Sequence, residues 1–377
     1  MKFLDIKFIK NLLIINIVVM LNILTAFPSY SSESEKLFKL INYYIQYDKT
    51  RINKTKMVIH SYGDNSLFEA AQIDETSYDK YFNDKNNLAA IVIRNGKIIY
   101  ERYNKNRKIT SDTTLNGMSM AKSATASVIG TLFCQRRIKS LDDPAKNYSS
   151  FLAETPYAEV KIKNILQMMS GVSPAGRADE RKLIATVLGL GPFSGKGSVK
   201  NGIGLYKIAA TDQGKRFNYH QTDPLALSLI SQAITNEPLS HTFFKEVYSK
   251  FSKAGRLHWS SDNNNVTSTF SSLIMRPKDW ARFGQYIMQQ MNKKTCLGNF
   301  FSTGLKNSVS TSYPDQNYGF LSWVQDFNGT PSLSFRGKGG QLIIIDPTKN
   351  LVVYLASVNS NYSFGNVNND MAQFLKE

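Results

Sequence analysis

Two periodicities divide the chain. Residues 88–103, LAAIVIRNGKIIYERY, are two β-branched runs on either side of Asn95-Gly96. That pair suits a type I′ turn, whose two central residues both need φ > 0, so the segment predicts a β-hairpin. Helical spacing then takes over. The stretch 119–137, SMAKSATASVIGTLFCQRR, is small early, apolar on a helical period and basic at its end, as a buried helix should be. Further helices are predicted over 158–169, 223–237 and 242–254. Another is predicted over 276–291, where Pro277 suits a first turn and Asp279 lies near the positive end of the dipole.

The C-terminal portion changes character. NYGFLSWVQDF, PSLSFRGKGG, QLIIIDP and LVVYLASVN are strand-like runs separated by Gly, Pro, Asn and Asp turns, and a short helix near 366–376 closes the chain. A hairpin near the start and strands at the end thus bracket a mostly helical middle. The simplest assembly is an α+β fold: both chain ends join in one antiparallel sheet with flanking helices, and the helical middle is inserted as a lobe. No repeat of 20–50 residues runs along the chain, which excludes solenoids. Residues 32–85 are polar with weak periodicity and are read as a leader packed on the domain, with a short helix. The domain proper is expected over 86–377.

The first 31 residues are set apart from the fold. Lys2, Lys7 and Lys10 precede LLIINIVVMLNILTAF, an apolar run of 16 residues, and Ser29 and Ser31 supply small side chains for a signal peptidase. Two readings stand: a secretory signal cleaved after Ser31, or an uncleaved N-terminal anchor in a slightly short span. Both export the body of the protein to the periplasm or beyond.

Composition narrows the class. Hydrophobic residues make up 42% of 377, a globular value. The formal charge of +17, from 46 Lys+Arg against 29 Asp+Glu, is scattered rather than clustered. It suits attraction to anionic polymers such as cell wall or lipid headgroups; no nucleic-acid partner is expected. Membrane contact is expected only through an uncleaved N-terminal segment, and nothing signals an oligomeric state. Cys134 and Cys296 are too few for a disulfide framework, and Cys134, on the first long helix, reads as a buried free thiol. Four His without zinc spacing imply no metal, and no organic cofactor is implied either. The segment 189–202, GLGPFSGKGSVKNG, looks phosphate-binding. However, Leu190 stands where a P-loop needs its first glycine and Gly197 follows Lys196, so a mobile surface loop, or a flap at a cleft mouth, is the reading.

Chemistry concentrates at Ser119-Met120-Ala121-Lys122, a Ser-x-x-Lys motif opening a helix. Residues three apart share a helix face, so the amine lies beside the hydroxyl. A serine needs a base to become a nucleophile, and a lysine held in a cleft at a helix start can be that base. The alternative is an N-capping serine with a solvated lysine. Small neighbours at Ala121, Ser123, Ala124 and Ala126 leave room for another lobe.

The surrounding blocks resemble the serine β-lactamase-related family of class C β-lactamases, DD-peptidases, esterases and 6-aminohexanoate-oligomer hydrolases. GMSMAKSATASVIGTLFCQRRIKSLDDPAKNY, ILQMMSGV (165–172), RPKDWARFG (276–284), YGFLSW (318–323) and GGQLIIIDP (339–347) follow the family's order across roughly 88–357. The resemblance implies the β-lactamase/DD-peptidase fold and an acyl-enzyme hydrolase, and the GGQ with its "DP" strand leans toward the 6-aminohexanoate hydrolase and esterase branch. A DD-peptidase or β-lactamase is the alternative enzyme; a catalytically silent cell-wall-binding relative is the alternative outside enzymes.

The family's Tyr-x-Asn element falls on FNYHQTDP (217–224), which implies Tyr219 as acid or base beside the nucleophile, with Gln221 in place of the Asn and His220 pointing away. A tyrosine between two cations is expected to ionise well below pH 10. The third element, normally Lys/His-Thr/Ser-Gly, falls on Phe335-Arg336-Gly337, with Lys338-Gly339-Gly340 as the shifted alternative. The implied oxyanion donors are the N–H groups of Ser119 and Lys338. Arg336 or Lys338 either meets an acidic substrate group or is a solvated strand-edge charge. The loss of the Lys-Thr pair argues against a specialised β-lactamase. Asp142 and Asp143 read as caps before Pro144, Asp279 and Arg282 as a salt-bridge pair, and His258-Trp259 as a packed loop or cleft lining.

Overall fold

A computed structural model describes residues 58–59, 79–172, 176–206, 212–252, 256–327, 329–359 and 361–364. The N-terminal segment 1–31, most of the 32–85 leader and the helix expected near 366–376 lie outside these residues.

The chain contributes β1 (Val58–Ile59), β2 (Asn87–Arg94), β3 (Lys97–Tyr103) and β4 (Leu115–Asn116), then α1 (Met120–Cys134). The helical middle holds α2 (Ser150–Ala153), α3 (Ile162–Leu166), α4 (Arg177–Leu188), α5 (Val199–Ile203), α6 (Thr222–Thr235) and α7 (Leu239–Glu246). After β5 (Arg256–Trp259) and β6 (Leu273–Met275) come α8 (Pro277–Asn292) and α9 (Cys296–Lys306). The closing strands are β7 (Val309–Ser310), β8 (Gln316–Gly319), β9 (Ser322–Asp326), β10 (Pro331–Gly337), β11 (Gln341–Asp346) and β12 (Leu351–Ser357).

Eight strands form one antiparallel sheet in the order β3-β2-β12-β11-β10-β9-β8-β7, so the two chain ends meet where β2 pairs with β12. The hairpin at 88–103 is present, and Asn95 and Gly96 take φ of 51° and 81°, the positive values its turn requires. A four-stranded sheet, β1-β5-β6-β4, stands apart. Its strands have two to four residues each, too few to show a period in the sequence.

The sheet is buried on both faces. Ile91, Ile343, Val352 and Phe335 point to the side covered by α1, α8 and α9, which holds the main core. Alternate residues such as Val92, Ile344 and Val353 face a second cluster with Tyr81, Tyr362 and Phe364 packed there. Strand alternation therefore decides which side chains of β10 join the main core and which do not.

Helix α1 is buried nearly all round, from Met120 through Gly130 and at Leu132, because its small residues let α6, α7 and α9 approach. It ends at Cys134, so the basic Arg136 and Arg137 lie beyond the helix. Two expectations need correction here. Cys134 is not a free thiol: it forms a disulfide with Cys296, with Cα atoms 5.7 Å apart. The packing of α9 on α1 brings the start of one helix to the end of the other, across 162 residues of sequence. The helix expected over 158–169 shrinks to Ile162–Leu166, since Met168 (φ 55°) and Gly171 (φ 76°) turn the chain.

The polar residues read as structural keep the chain in place by other contacts than expected. Asp142 pairs with Lys163 at 2.7 Å and Lys161 at 3.3 Å, and Asp143 accepts from Tyr148, so neither serves as a helix cap. Asp279 does pair with Arg282, at 3.7 Å, but Arg276 is nearer at 2.9 Å, and Tyr248 and Ser252 also donate to it. The segment 189–202 follows helix α4 rather than a strand, and ends in α5. Hydrogen bonds from Ser198 to Thr186 and from Asn263 to the Gly195 and Gly197 carbonyls hold it down.

Candidate active site

The turn into α1 is fixed before the helix begins. Leu115 pairs with Met275 in the small sheet, and the Trp280 indole donates to the Leu115 carbonyl at 3.1 Å. The Asn116 Oδ1 then accepts the Met118 N–H at 2.8 Å, and Met118 adopts φ 51°, a left-handed step rare for such a residue. Ser119 follows directly, partly exposed at the start of the helix. Among the described residues its N–H meets no acceptor, as expected of a first-turn amide.

One helical turn on, Lys122 is only 1% exposed. Its Nζ lies 3.1 Å from Ser119 Oγ, 2.7 Å from Gln221 Oε1 and 3.1 Å from the Phe270 carbonyl. Burial disfavours the ammonium and brings the Lys122 pKa down to about 7, with the Glu180 carboxylate opposing the shift. A neutral amine has two hydrogens and one lone pair. With Gln221 and Phe270 taking the hydrogens, the lone pair is left for Ser119.

Tyr219 comes from the loop before α6. That loop is supported by the 165–172 segment, where the Met168 and Met169 carbonyls accept from Asn218 and Gly214. The Tyr219 ring lies 4.8 Å from Lys122 Nζ and packs on Trp323 and Tyr318 at centroid distances of 5.4 and 5.9 Å. Although the residue is partly exposed, desolvation by the protein packed around its phenol pushes its pKa up to about 12. A hydrogen bond with Ser119 and the charge of Arg336 pull it back only in part. This corrects the expectation of easy ionisation: desolvation outweighs the nearby cations, and Tyr219 is a neutral phenol at neutral pH.

His220 points away from the cleft, as expected of the alternate residue. It is buried, its Nδ1 accepts the Thr222 N–H, and its Nε2 lies 3.3 Å from Asp223, which also accepts from Tyr157 at 2.7 Å. This network turns Tyr219 and Gln221 to the same side of the chain.

The end of β10 closes the site. Gly337 packs so tightly on the turn before Ser119 that a Cβ there would stand 2.1 Å from the Gly117 carbonyl oxygen and 2.9 Å from Met118. Only glycine fits. Lys338 is exposed and opens the turn through Gly339 and Gly340, both at positive φ, into β11. Phe335 lies in the main core against Phe283 and Phe301 and does not face the cleft. Arg336 takes the opposite face, 4% exposed, donating to Ser334 Oγ at 2.8 Å and to Gln316 and Gln325 at 2.5 Å each. Its guanidinium also covers the Trp323 ring at 5.2 Å, so it is not a solvated edge charge.

Ser119, Lys122, Tyr219 and Gln221 thus converge, and Gly337 borders them. His258-Trp259 belongs to β5, with Trp259 fully buried and its indole donating to the Ser268 and Ser271 carbonyls, so it braces the segment carrying Phe270 instead of lining the cleft. Two contributors were not visible in the sequence. Phe270 acts through its backbone, which leaves no residue-type signal. Glu180 lies in the charged run ADERK at the start of α4 and accepts from Gln221 Nε2 at 2.9 Å.

A serine beside a buried lysine and a tyrosine, on a helix packed against an antiparallel sheet made of both chain ends, is an arrangement suited to a serine hydrolase. The sequence profile of the family described as Beta-lactamase matches residues 79–375, and the chain belongs to that family. Among solved structures it is similar to a candidate 6-aminohexanoate-dimer hydrolase from Bacillus anthracis, with TM-score 0.73 and 19% identity, covering 89% of this chain and 92% of that one. It is also similar to a penicillin-binding protein from Bacillus halodurans (TM-score 0.62, 16% identity, 80% and 98% covered). A class C β-lactamase matches at TM-score 0.57 and 12% identity, over 79% of this chain and 96% of that one. No match was found among curated proteins.

The tight contact at Gly337 can be tested directly. Gly337→Ala must push β10 away from the turn before Ser119. We expect a folded protein of lower Tm whose labelling by a fluorophosphonate slows by about 10²-fold, the order of loss caused by ångström-scale misplacement. Labelling at the wild-type rate would mean that the site does not depend on this approach.

Proposed function

We propose that Ser119 attacks the carbonyl of an amide or ester and that Lys122 is its base. The observation that carries this reading is the Lys122 amine, buried, with its hydrogens directed to Gln221 and Phe270 and its third neighbour Ser119 Oγ. In the first step the Ser119 proton passes to Lys122 as the Oγ–carbon bond forms. The resulting oxyanion is held by the N–H groups of Ser119 and Lys338; each such donor contributes about 3 kcal/mol to the transition state. As the carbon–leaving-group bond breaks, Tyr219 gives its phenolic proton to the leaving group and regains one from the Lys122 ammonium. A water molecule then repeats the sequence on the acyl-enzyme, losing its proton to Lys122 and releasing the acid and free Ser119. Two lower barriers replace one high barrier.

The substrate we propose is a small or oligomeric amide or ester, of the kind cleaved by 6-aminohexanoate-oligomer hydrolases and esterases. Phe335 in the core and Arg336 committed to Ser334, Gln316 and Gln325 support this over a β-lactam, whose carboxylate would lack its usual holders. We also propose that the protein works outside the cytoplasm, through cleavage after Ser31 or anchoring by residues 1–31. The Cys134–Cys296 disulfide supports an oxidising compartment.

Ser119→Ala is expected to abolish fluorophosphonate labelling and turnover without unfolding the protein, and Lys122→Ala to lower turnover by about 10²–10⁴-fold. An adduct on Ser123 or Ser170, or a Lys122→Ala enzyme within a few-fold of wild type, contradicts the proton path. A protein that takes no label at all is the silent cell-wall binder. In a panel of short p-nitrophenyl esters, linear amides and nitrocefin, kcat/KM should be lowest for nitrocefin; the reverse order points to a β-lactamase or DD-peptidase. Cell fractionation should find the chain outside the cytoplasm, and full-length soluble protein inside it rejects both export readings.

A further inference from the structure

We infer that Glu180 is a positioning residue: by accepting from the Gln221 amide it holds the amide oxygen toward Lys122, and so decides which way the Lys122 lone pair faces. The inference rests on Lys122 being the base of the proposed reaction. It concerns a side chain outside the four that converge on the cleft and depends on the chemistry of one amide.

A glutamine amide has unlike ends, an oxygen that accepts and an NH₂ that donates. Here Nε2 donates to Glu180 Oε1 at 2.9 Å and Oε1 accepts from Lys122 Nζ at 2.7 Å. An ionised carboxylate accepts only, so the NH₂ end must face Glu180 and the oxygen is left for Lys122. Turned over, the amide would set its oxygen against the carboxylate and its N–H groups against the amine. Those N–H groups would claim the lone pair that Ser119 needs. Glu180 stands in the first turn of α4.

The length of residue 221 belongs to the same device. An asparagine would be one methylene shorter, whereas Gln221 spans from Lys122 to a carboxylate on a different helix. Glu180 also acts through its charge, supporting the Lys122 ammonium and opposing ionisation of Tyr219. Among the described residues Lys122 also meets Ser119 on its own helix, the Phe270 carbonyl and the Tyr219 ring at 4.8 Å, with Arg336 and Tyr313 acting on Tyr219 from the strand side.

The test follows the rate of fluorophosphonate labelling against pH, which requires no knowledge of the natural substrate. Glu180→Gln removes the charge and keeps a group able to accept. Its acidic limb should move to lower pH, because Lys122 loses the carboxylate that favours its proton, while the plateau falls by less than about tenfold. Glu180→Lys replaces the acceptor by a donor and should turn the amide over, lowering the plateau by about 10²-fold, the order of a lost general base. An acidic limb unmoved in Glu180→Gln, or a Glu180→Lys plateau within about threefold of wild type, overturns the inference. Should the wild-type protein take no label on Ser119, the proposed reaction fails first, and that result is distinct from an unmoved profile.

Discussion

Everything in this site depends on keeping one lysine dry. An ammonium removed from water costs several kcal/mol unless it is paired, and among the described residues Lys122 meets no carboxylate directly. The protein offers it neutral oxygens instead, which suit an amine as well as an ammonium, and the pKa falls to about 7. Each oxygen comes from a different part of the chain. Ser119 shares its helix, Gln221 comes from the start of α6, and Phe270 from a segment that Thr269 pins to the Pro224 carbonyl. Holding these three at once is what the lobe between the two ends of the sheet does.

The sheet supplies the other wall. Because side chains alternate along β10, Phe335 enters the core and Arg336 the opposite face, which leaves the backbone of Gly337 as what the strand brings to the turn before Ser119. The strand therefore acts through its main chain. Trp323 links the two halves, with Tyr219 on one side and Arg336 over its ring, so the phenol proposed as proton donor is braced by the strands beyond β10. The disulfide anchors the far end of α1 to α9 and leaves the Ser119 end to be set by Trp280 and Asn116.

Much of this was legible beforehand, for physical reasons. The Asn95-Gly96 turn has few alternatives, and the spacing of Ser119 and Lys122 works only on a helix face, so both could be read from residue order. The long helices announced themselves by period and by Pro277. Contacts that link distant segments without a residue-type requirement could not be read. Phe270 contributes a carbonyl that any residue carries, Cys134 and Cys296 are separated by 162 residues, and Glu180 sat among ordinary helix charges. The sequence shows the cations that would ease ionisation of Tyr219 but not the depth of its burial, and burial decides the outcome.

The central claim is that Lys122 is a neutral amine at the working pH with its lone pair toward Ser119. NMR titration of the isotope-labelled lysine side chains, with the Lys122 resonance assigned by its loss in Lys122→Ala, tests this most directly. The account predicts a midpoint near pH 7, protonated below and neutral above. A Lys122 resonance that stays protonated until the ordinary lysine value of 10.5 would contradict it.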